Sequence, residues 1–454
     1  MSEGKTIRSI LRQYKINLIS FLEKNQAFNS IFSNPLWKGA LILGTGSILT
    51  QIINFLGIIF ITRLYSPSDF GLLGIFSAII SVFITFTSFG YELAIPVPKD
   101  SETAAHLLVL SILLVCLSSL VFFILLILFG SYFVTIFNLQ IIAPFFGLLL
   151  ISCLSSGIYQ VLNYWAIRKQ DYISITYTQI NQSLSGNLCK IFFGIIGIGS
   201  LGLLLGQVIS YIAGIGTFIK KIRLSDRNSI RSISFSGLKY AAREYRNFPI
   251  FSAPAALVLT LSLQFPIFFI SIFYGIKEVG WYSLANQMLS LPIYLIGLSI
   301  SQAYYGEAAV RMHNNPFELK AIYLNLVKIL TLISIPVIGI IALLAPFIFP
   351  IIFGVAWFGA GVYCIPLALV AISEFITTPT NKLSLYGFNK WQLGFHIFRF
   401  ILIFIGFFIS YLLNIDILLS LFLYGCIIAF TCIILFYLNM IAINRLILNF
   451  TKIK

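Results

Sequence analysis

Five charged side chains stand inside long apolar stretches of this chain: Lys190, Lys328, Arg399, Glu92 and Glu374. A charge at mid-bilayer costs about 2.5–3.5 kcal/mol on insertion scales, so each asks for a partner, a polar cavity or an ion path. Lys190 ends a stripe in which Gln179, Ser183 and Asn187 precede it at helical spacing. Residues three and four apart share one helix face, so the stripe predicts a cavity wall that binds hydroxyls and ends in a cation. The alternative is a lysine that snorkels to an interface or pairs with a carboxylate. Ser47, Gln51 and Asn54 give a second polar face, which helix–helix hydrogen bonding would explain equally well.

Arg399 lies one turn from His396 in an otherwise apolar run. Arg399 is read as cavity-lining, and His396 as a cavity or packing histidine. Glu374 and Glu92 are the candidate coupling carboxylates, with a buried ion pair from Glu374 to Arg399 or Lys382 as the structural alternative. Pro379 follows Glu374 within the polar run Thr377–Lys382. Its missing amide hydrogen breaks or kinks a helix, which suits a gating element. Lys328 is read as snorkelling.

These residues need elements to hold them. The chain is 59% hydrophobic and 9% charged, too little charge for a soluble surface of this size. A hydrocarbon core about 30 Å thick takes roughly 20 apolar residues to cross as helix. Twelve stretches fit, near 39–62, 71–96, 105–130, 141–166, 175–198, 201–219, 249–274, 280–303, 321–345, 358–381, 391–413 and 417–441. Backbone amides must be satisfied internally in lipid, so these are helices, and the fold class is an all-α polytopic membrane protein.

Of the 29 Lys and Arg, Arg63 and Lys277 fall on one side and Lys190, Lys328 and Arg399 within spans; all others lie on the opposite side. Positive residues stay cytoplasmic, which places both termini and the 220–248 loop inside the cell. The net charge of +15 then reflects topology and anionic headgroups, not nucleic acid. The first 37 residues lack the apolar core of a signal peptide and read as an amphipathic helix on the membrane surface; 229–246 reads similarly. All six cysteines fall in spans without metal-ligand or redox spacing. No phosphate-binding loop, metal cluster or nucleophile elbow is present, and no outer loop offers the acids and bases of a glycosyltransferase. Transport without cofactors remains.

The 220–248 linker divides the chain into 1–37, a six-span lobe over 38–219, the linker, a second lobe over 249–441, and a tail over 442–454. The halves echo one another. Leu64-Tyr65-Ser66-Pro67-Ser68-Asp69-Phe70-Gly71 and Phe273-Tyr274-Gly275-Ile276-Lys277-Glu278-Val279-Gly280 match at a shift of 209, aligning Tyr65 with Tyr274 and Gly71 with Gly280. Six spans per half make the lobes parallel repeats about an axis along the membrane normal, with substrate between them.

The segments Trp37–Ala40, Gly44-Thr45-Gly46, Thr62–Gly71, Tyr245-Arg246-Asn247-Phe248-Pro249, Glu278–Ser283 and Ser299–Tyr305 resemble the polysaccharide flippases. The resemblance is to Wzx-type O-antigen and exopolysaccharide translocases of the multidrug/oligosaccharidyl-lipid/polysaccharide (MOP) superfamily, and it covers about 34–440. It implies two six-helix lobes around a partly basic cavity in a bacterial cytoplasmic membrane. It implies outward translocation of an undecaprenyl-pyrophosphate-linked oligosaccharide by alternating access, among membrane lipids. A polysaccharide polymerase or chain-length regulator is a candidate partner, and proton or sodium coupling a candidate addition. Two other readings stay open: a small-molecule exporter of the multidrug type, and a non-transporting subunit of a polysaccharide assembly complex.

Overall fold

A computed structural model describes residues 35–136, 140–225 and 233–453. The amphipathic segment expected over 1–37 lies almost wholly outside the described residues. The helices are α1 (Pro35–Leu64), α2 (Pro67–Thr87), α3 (Ser101–Ile136), α4 (Phe146–Arg168), α5 (Tyr172–Ile196) and α6 (Ser200–Ala213), which Ile215–Ser225 continues. The second set is α7 (Ala253–Phe273), α8 (Ile276–Pro292), α9 (Pro316–Ile352), α10 (Phe358–Thr380), α11 (Asn389–Leu412) and α12 (Ile417–Ile453). No strand occurs among the described residues.

Among the described residues ten helices are long and apolar enough to cross a membrane, and an eleventh span counts if a bent pair is one crossing. That pair is α8, which runs through a π-helical turn at Ile293–Gly297 into Leu298–Asn314 and bends by 44°. A π turn inserts an extra residue into the helical ladder and is a recognised cause of bends. α5 has the length to span, 25 residues, but its polar stripe keeps it off a hydropathy count.

The second span is shorter than expected. Ser66 caps α2 in a capping box with Asp69, and Pro67 stands at its first turn. Phe89 and Gly90 then take positive φ, which ends the helix at Thr87, and a 3₁₀ turn over Tyr91–Ala94 follows. Glu92 therefore sits in a turn beyond the helix, correcting its expected place inside a span.

The first lobe is built on α1 against α5, α5 against α6, and α3 against α4; the second on α9 and α10 against α12, with α7 against α11. The lobes meet where α2 packs against α7 and α8. One buried apolar cluster runs through both lobes near the hairpins at 64–67 and 273–276; it includes Ile61, Phe70, Phe349, Phe353 and Trp357. At the opposite, linker-bearing face each lobe has its own separate cluster. One apolar cluster thus joins the lobes at the hairpin face, whereas at the linker face each lobe keeps its own. The linker helix, Phe235–Glu244, docks on the first lobe: the Ser234 amide donates to His106 Nε2 at 3.2 Å, and Tyr91 Oη donates to the Ala242 carbonyl at 2.9 Å.

Candidate functional site

A cavity of about 670 Å³ lies between the lobes. The first lobe contributes Ser47, Gln51 and Asn54 from α1, Gln179, Gln182, Ser183, Asn187 and Lys190 from α5, and Gln207 from α6. The second contributes Gln264 from α7 and Asn286 and Gln287 from α8. The described lining holds nine carboxamide side chains, one ammonium group and no carboxylate. Carboxamides both donate and accept, so this wall can meet many orientations of a polyhydroxylated ligand.

The two polar faces expected from sequence meet each other here. Asn187 Nδ2 donates to Asn54 Oδ1 at 3.2 Å and to the Ile53 carbonyl at 3.3 Å. This crossing depends on Gly57, where a Cβ would overlap the Asn187 side chain. Gln179 Oε1 and Ser283 Oγ make no hydrogen bond to another protein group, although both belong to cavity-lining residues. Unpaired buried acceptors of this kind are costly unless a ligand or water reaches them.

Lys190 stands near the hairpin end of the cavity, six residues before the end of α5, about 9 Å along the axis. Its Nζ donates to Gln207 Oε1 at 2.7 Å, and its own carbonyl accepts from Tyr65 Oη at 2.8 Å. No carboxylate pairs with it among the described residues. One of its three ammonium protons is held by a neutral amide; the other two are available to an anion.

Arg399 and His396 do not join this site; neither lines the cavity. Arg399 lies within the second lobe, where its Nη2 is 3.5 Å from Glu374 Oε1. The structure thus corrects the expected cavity role of Arg399 and brings together the alternative pair. His396 is buried beside it, with Nδ1 unpartnered. Glu92 lies apart again, accepting from Ser88 Oγ and from Gln160 Nε2, the latter at 3.2 Å. Pro379 occupies the last turn of α10, which ends at Thr380, so it terminates a helix and does not kink one midway. Removing one partner of a buried pair costs about 3–5 kcal/mol. Arg399→Leu should therefore destabilise the protein by about 3 kcal/mol, and Arg399→Leu with Glu374→Leu should recover most of that. A double-mutant cycle on thermal unfolding in detergent checks it.

The cavity is sealed at the hairpin face by reciprocal contacts between the lobes. Gly71 and Gly280, the glycines matched by the 209-residue shift, face each other's hairpins. A Cβ on Gly71 would overlap the Ile276 carbonyl oxygen, and one on Gly280 would overlap the Pro67 carbonyl oxygen. Ile276 is itself 209 residues beyond Pro67, so the crossing obeys the internal two-fold. Arg63 Nη2 donates to the carbonyls of Ile351 at 3.0 Å and Ile352 at 3.2 Å, at the end of α9. Trp357 Nε1 donates to the Thr62 carbonyl at 2.8 Å, near the end of α1.

Sequence reasoning missed Gln182, Gln207, Gln264, Asn286 and Gln287. The signal was available: each is a carboxamide inside an apolar span.

An all-helical, two-lobed membrane protein with a polar cavity between its lobes has the architecture of an alternating-access transporter. Residues 60–361 match the family described as "Polysaccharide biosynthesis protein", and the chain belongs to that family. It is similar to the teichuronic acid biosynthesis protein TuaB of Bacillus subtilis (strain 168), 26% identical over 144 residues, 32% of this chain and 29% of that protein. The match thus spans less than a third of that relative's length. The fold is that of MOP superfamily transporters. An inward-facing multidrug resistance MATE family transporter superposes with a TM-score of 0.67 at 16% identity, covering 90% of this chain and 98% of that one. A MOP superfamily transporter from Pyrococcus furiosus gives 0.57 at 16% identity, covering 91% and 97%.

Proposed function

We propose that this protein carries an undecaprenyl-pyrophosphate-linked oligosaccharide from the inner to the outer leaflet of a bacterial cytoplasmic membrane. The observation that carries the reading is the described lining: nine carboxamides and Lys190, with no carboxylate among them. A diphosphate crossing a low-dielectric barrier needs cationic and N–H donors in place of its hydration. Sugar hydroxyls need groups that both donate and accept, which Gln and Asn provide. The polyprenyl tail can stay in lipid while the headgroup passes between the lobes, and no bond is made or broken. An exporter of cationic drugs would need acids in the cavity, and a passive scaffold would need no cavity at all.

With the basic linker face cytoplasmic, the hairpin seal faces outward and loading takes place from the side where the glycan is assembled. Alternating access then requires the seal to open and the linker face to close, delivering the headgroup outside.

The deciding experiment is leaflet-resolved accumulation of lipid-linked oligosaccharide in the native host depleted of the protein. Build-up on the inner leaflet, cleared by re-expression, is the expected result. Normal outer-leaflet display during depletion would move the exporter reading to first place.

Moving one charge across the membrane potential is worth about 2.3 kcal/mol per 100 mV. Outward passage of an anionic headgroup runs downhill in a cell with a negative interior. Collapsing the potential in proteoliposomes, with pH and sodium held equal, should slow transport several-fold; an unchanged rate would exclude electrogenic movement.

A further inference from the structure

A second concavity lies on the lipid-facing side of the second lobe, in the groove between α11 and α12. Its volume is about 460 Å³, and Trp391, Gly394, Phe395 and Phe398 of α11 line it opposite Ile434, Leu438 and Ile441 of α12. The residues on α12 recur at helical spacing, and Arg445 follows Ile441 by four, one turn further along the same face. At the end of the groove the Arg445 guanidinium lies 4.6 Å from the Trp391 ring centroid and 5.9 Å from that of Phe388. Stacking on two aromatic faces fixes the cation while leaving its N–H edge free. Arg445 is exposed, and no carboxylate pairs with it among the described residues. Lys390 is exposed next to Trp391. The space beside Gly394 is open: a Cβ there would meet nothing within 4 Å.

We propose that this groove is a binding site for one anionic phospholipid, with an acyl chain against Gly394 and Phe398 and the phosphate on Arg445. A basic group at the interfacial end of an apolar slot between two spanning helices has the chemistry of such a headgroup site. The tail of the transported lipid is the weaker occupant, because α11 and α12 contribute no residue to the central cavity.

Native mass spectrometry of the full-length protein, released from vesicles of phosphatidylcholine with one-tenth phosphatidylglycerol, tests this. The wild type should retain phosphatidylglycerol in preference to phosphatidylcholine. Arg445→Ala should lower that retention about fivefold, the worth of one arginine near an anionic surface. Gly394→Leu fills empty, lipid-exposed space, so the protein should fold, and it should lower retention to the same degree. Equal retention of the two lipids would overturn the proposal. So would phosphatidylglycerol retention unmoved by either variant, or displacement of phosphatidylglycerol by an equimolar polyprenyl phosphate.

Discussion

Lys190→Met should lower headgroup translocation by at least about 30-fold while leaving the amount of folded protein unchanged. Methionine keeps most of the unbranched stem, which matters because a Cβ on Gly206 would already press on the Lys190 side chain where α5 and α6 cross. What disappears is the only charge in the described cavity lining. Truncating one partner of a buried charged contact costs about 2–5 kcal/mol, and the lower bound is about 30-fold. Lys190→Arg keeps the charge and should recover a substantial part of the rate, since a guanidinium also pairs with phosphate oxygens. Gln207→Leu removes only the amide that holds Nζ at 2.7 Å. It should cost about fivefold, the worth of one modest hydrogen bond. Transport of radiolabelled lipid-linked glycan in proteoliposomes, normalised to reconstituted protein, reads all three. Equal rates for Lys190→Met and wild type would remove the anionic headgroup from the mechanism, because nothing else in the described lining carries a positive charge.

The same residue shows how far sequence reading reached. Along α5 the spacing of Gln179, Ser183, Asn187 and Lys190 fixed a single face, and a helix with one polar face must turn it away from lipid. Its destination was therefore legible without a partner structure. Arg399 was different. Its position gave its depth in the bilayer but not its azimuth, and no polar stripe on α11 showed which way it turned. The packing of α11 against α12 and α7 aims it into the lobe, toward Glu374. Glu92 failed for a local reason: Phe89 and Gly90, at positive φ just before it, end α2, and hydropathy continues smoothly across that stop. The hairpin match was legible as a repeat, since Tyr65 and Tyr274 and the two glycines align at one shift. That Gly71 and Gly280 touch the opposite lobe was not, because identical spacing is compatible with lobes packed together or held apart.

Gly280→Leu is expected to hold the transporter open at the hairpin face. The atom a Cβ would overlap is the Pro67 carbonyl oxygen, which is backbone and cannot rotate aside, so closure would require the two hairpins to separate. Separation also undoes the rest of the seal. The last carbonyls of a helix have no partner within it. In α9, the following turn takes those of Phe349 and Pro350, through the amides of Phe353 and Gly354. The two left over, Ile351 and Ile352, are the ones that Arg63 reaches from the other lobe. Near the end of α1 the Thr62 carbonyl is likewise satisfied by Trp357, itself fully buried against Phe70. Each lobe thus caps a helix of the other, and the closed state depends on both caps and on the apolar contact around them. Overpacking a close crossing costs about 1–3 kcal/mol or more, enough to shift a two-state equilibrium by about tenfold to a hundredfold. A cysteine at cavity position Ser283, in a background lacking the six native cysteines, reports the shift through a membrane-impermeant maleimide added outside. Labelling should accelerate at least about tenfold in Gly280→Leu and transport should stop, because a carrier that cannot close toward the outside cannot reload. Arg63→Ala, which frees two exposed carbonyls to water without a clash, should accelerate labelling only a few-fold and leave transport running. If Gly280→Leu labels no faster than its parent, the seal does not depend on the glycine crossing, and the lobes must close by another contact.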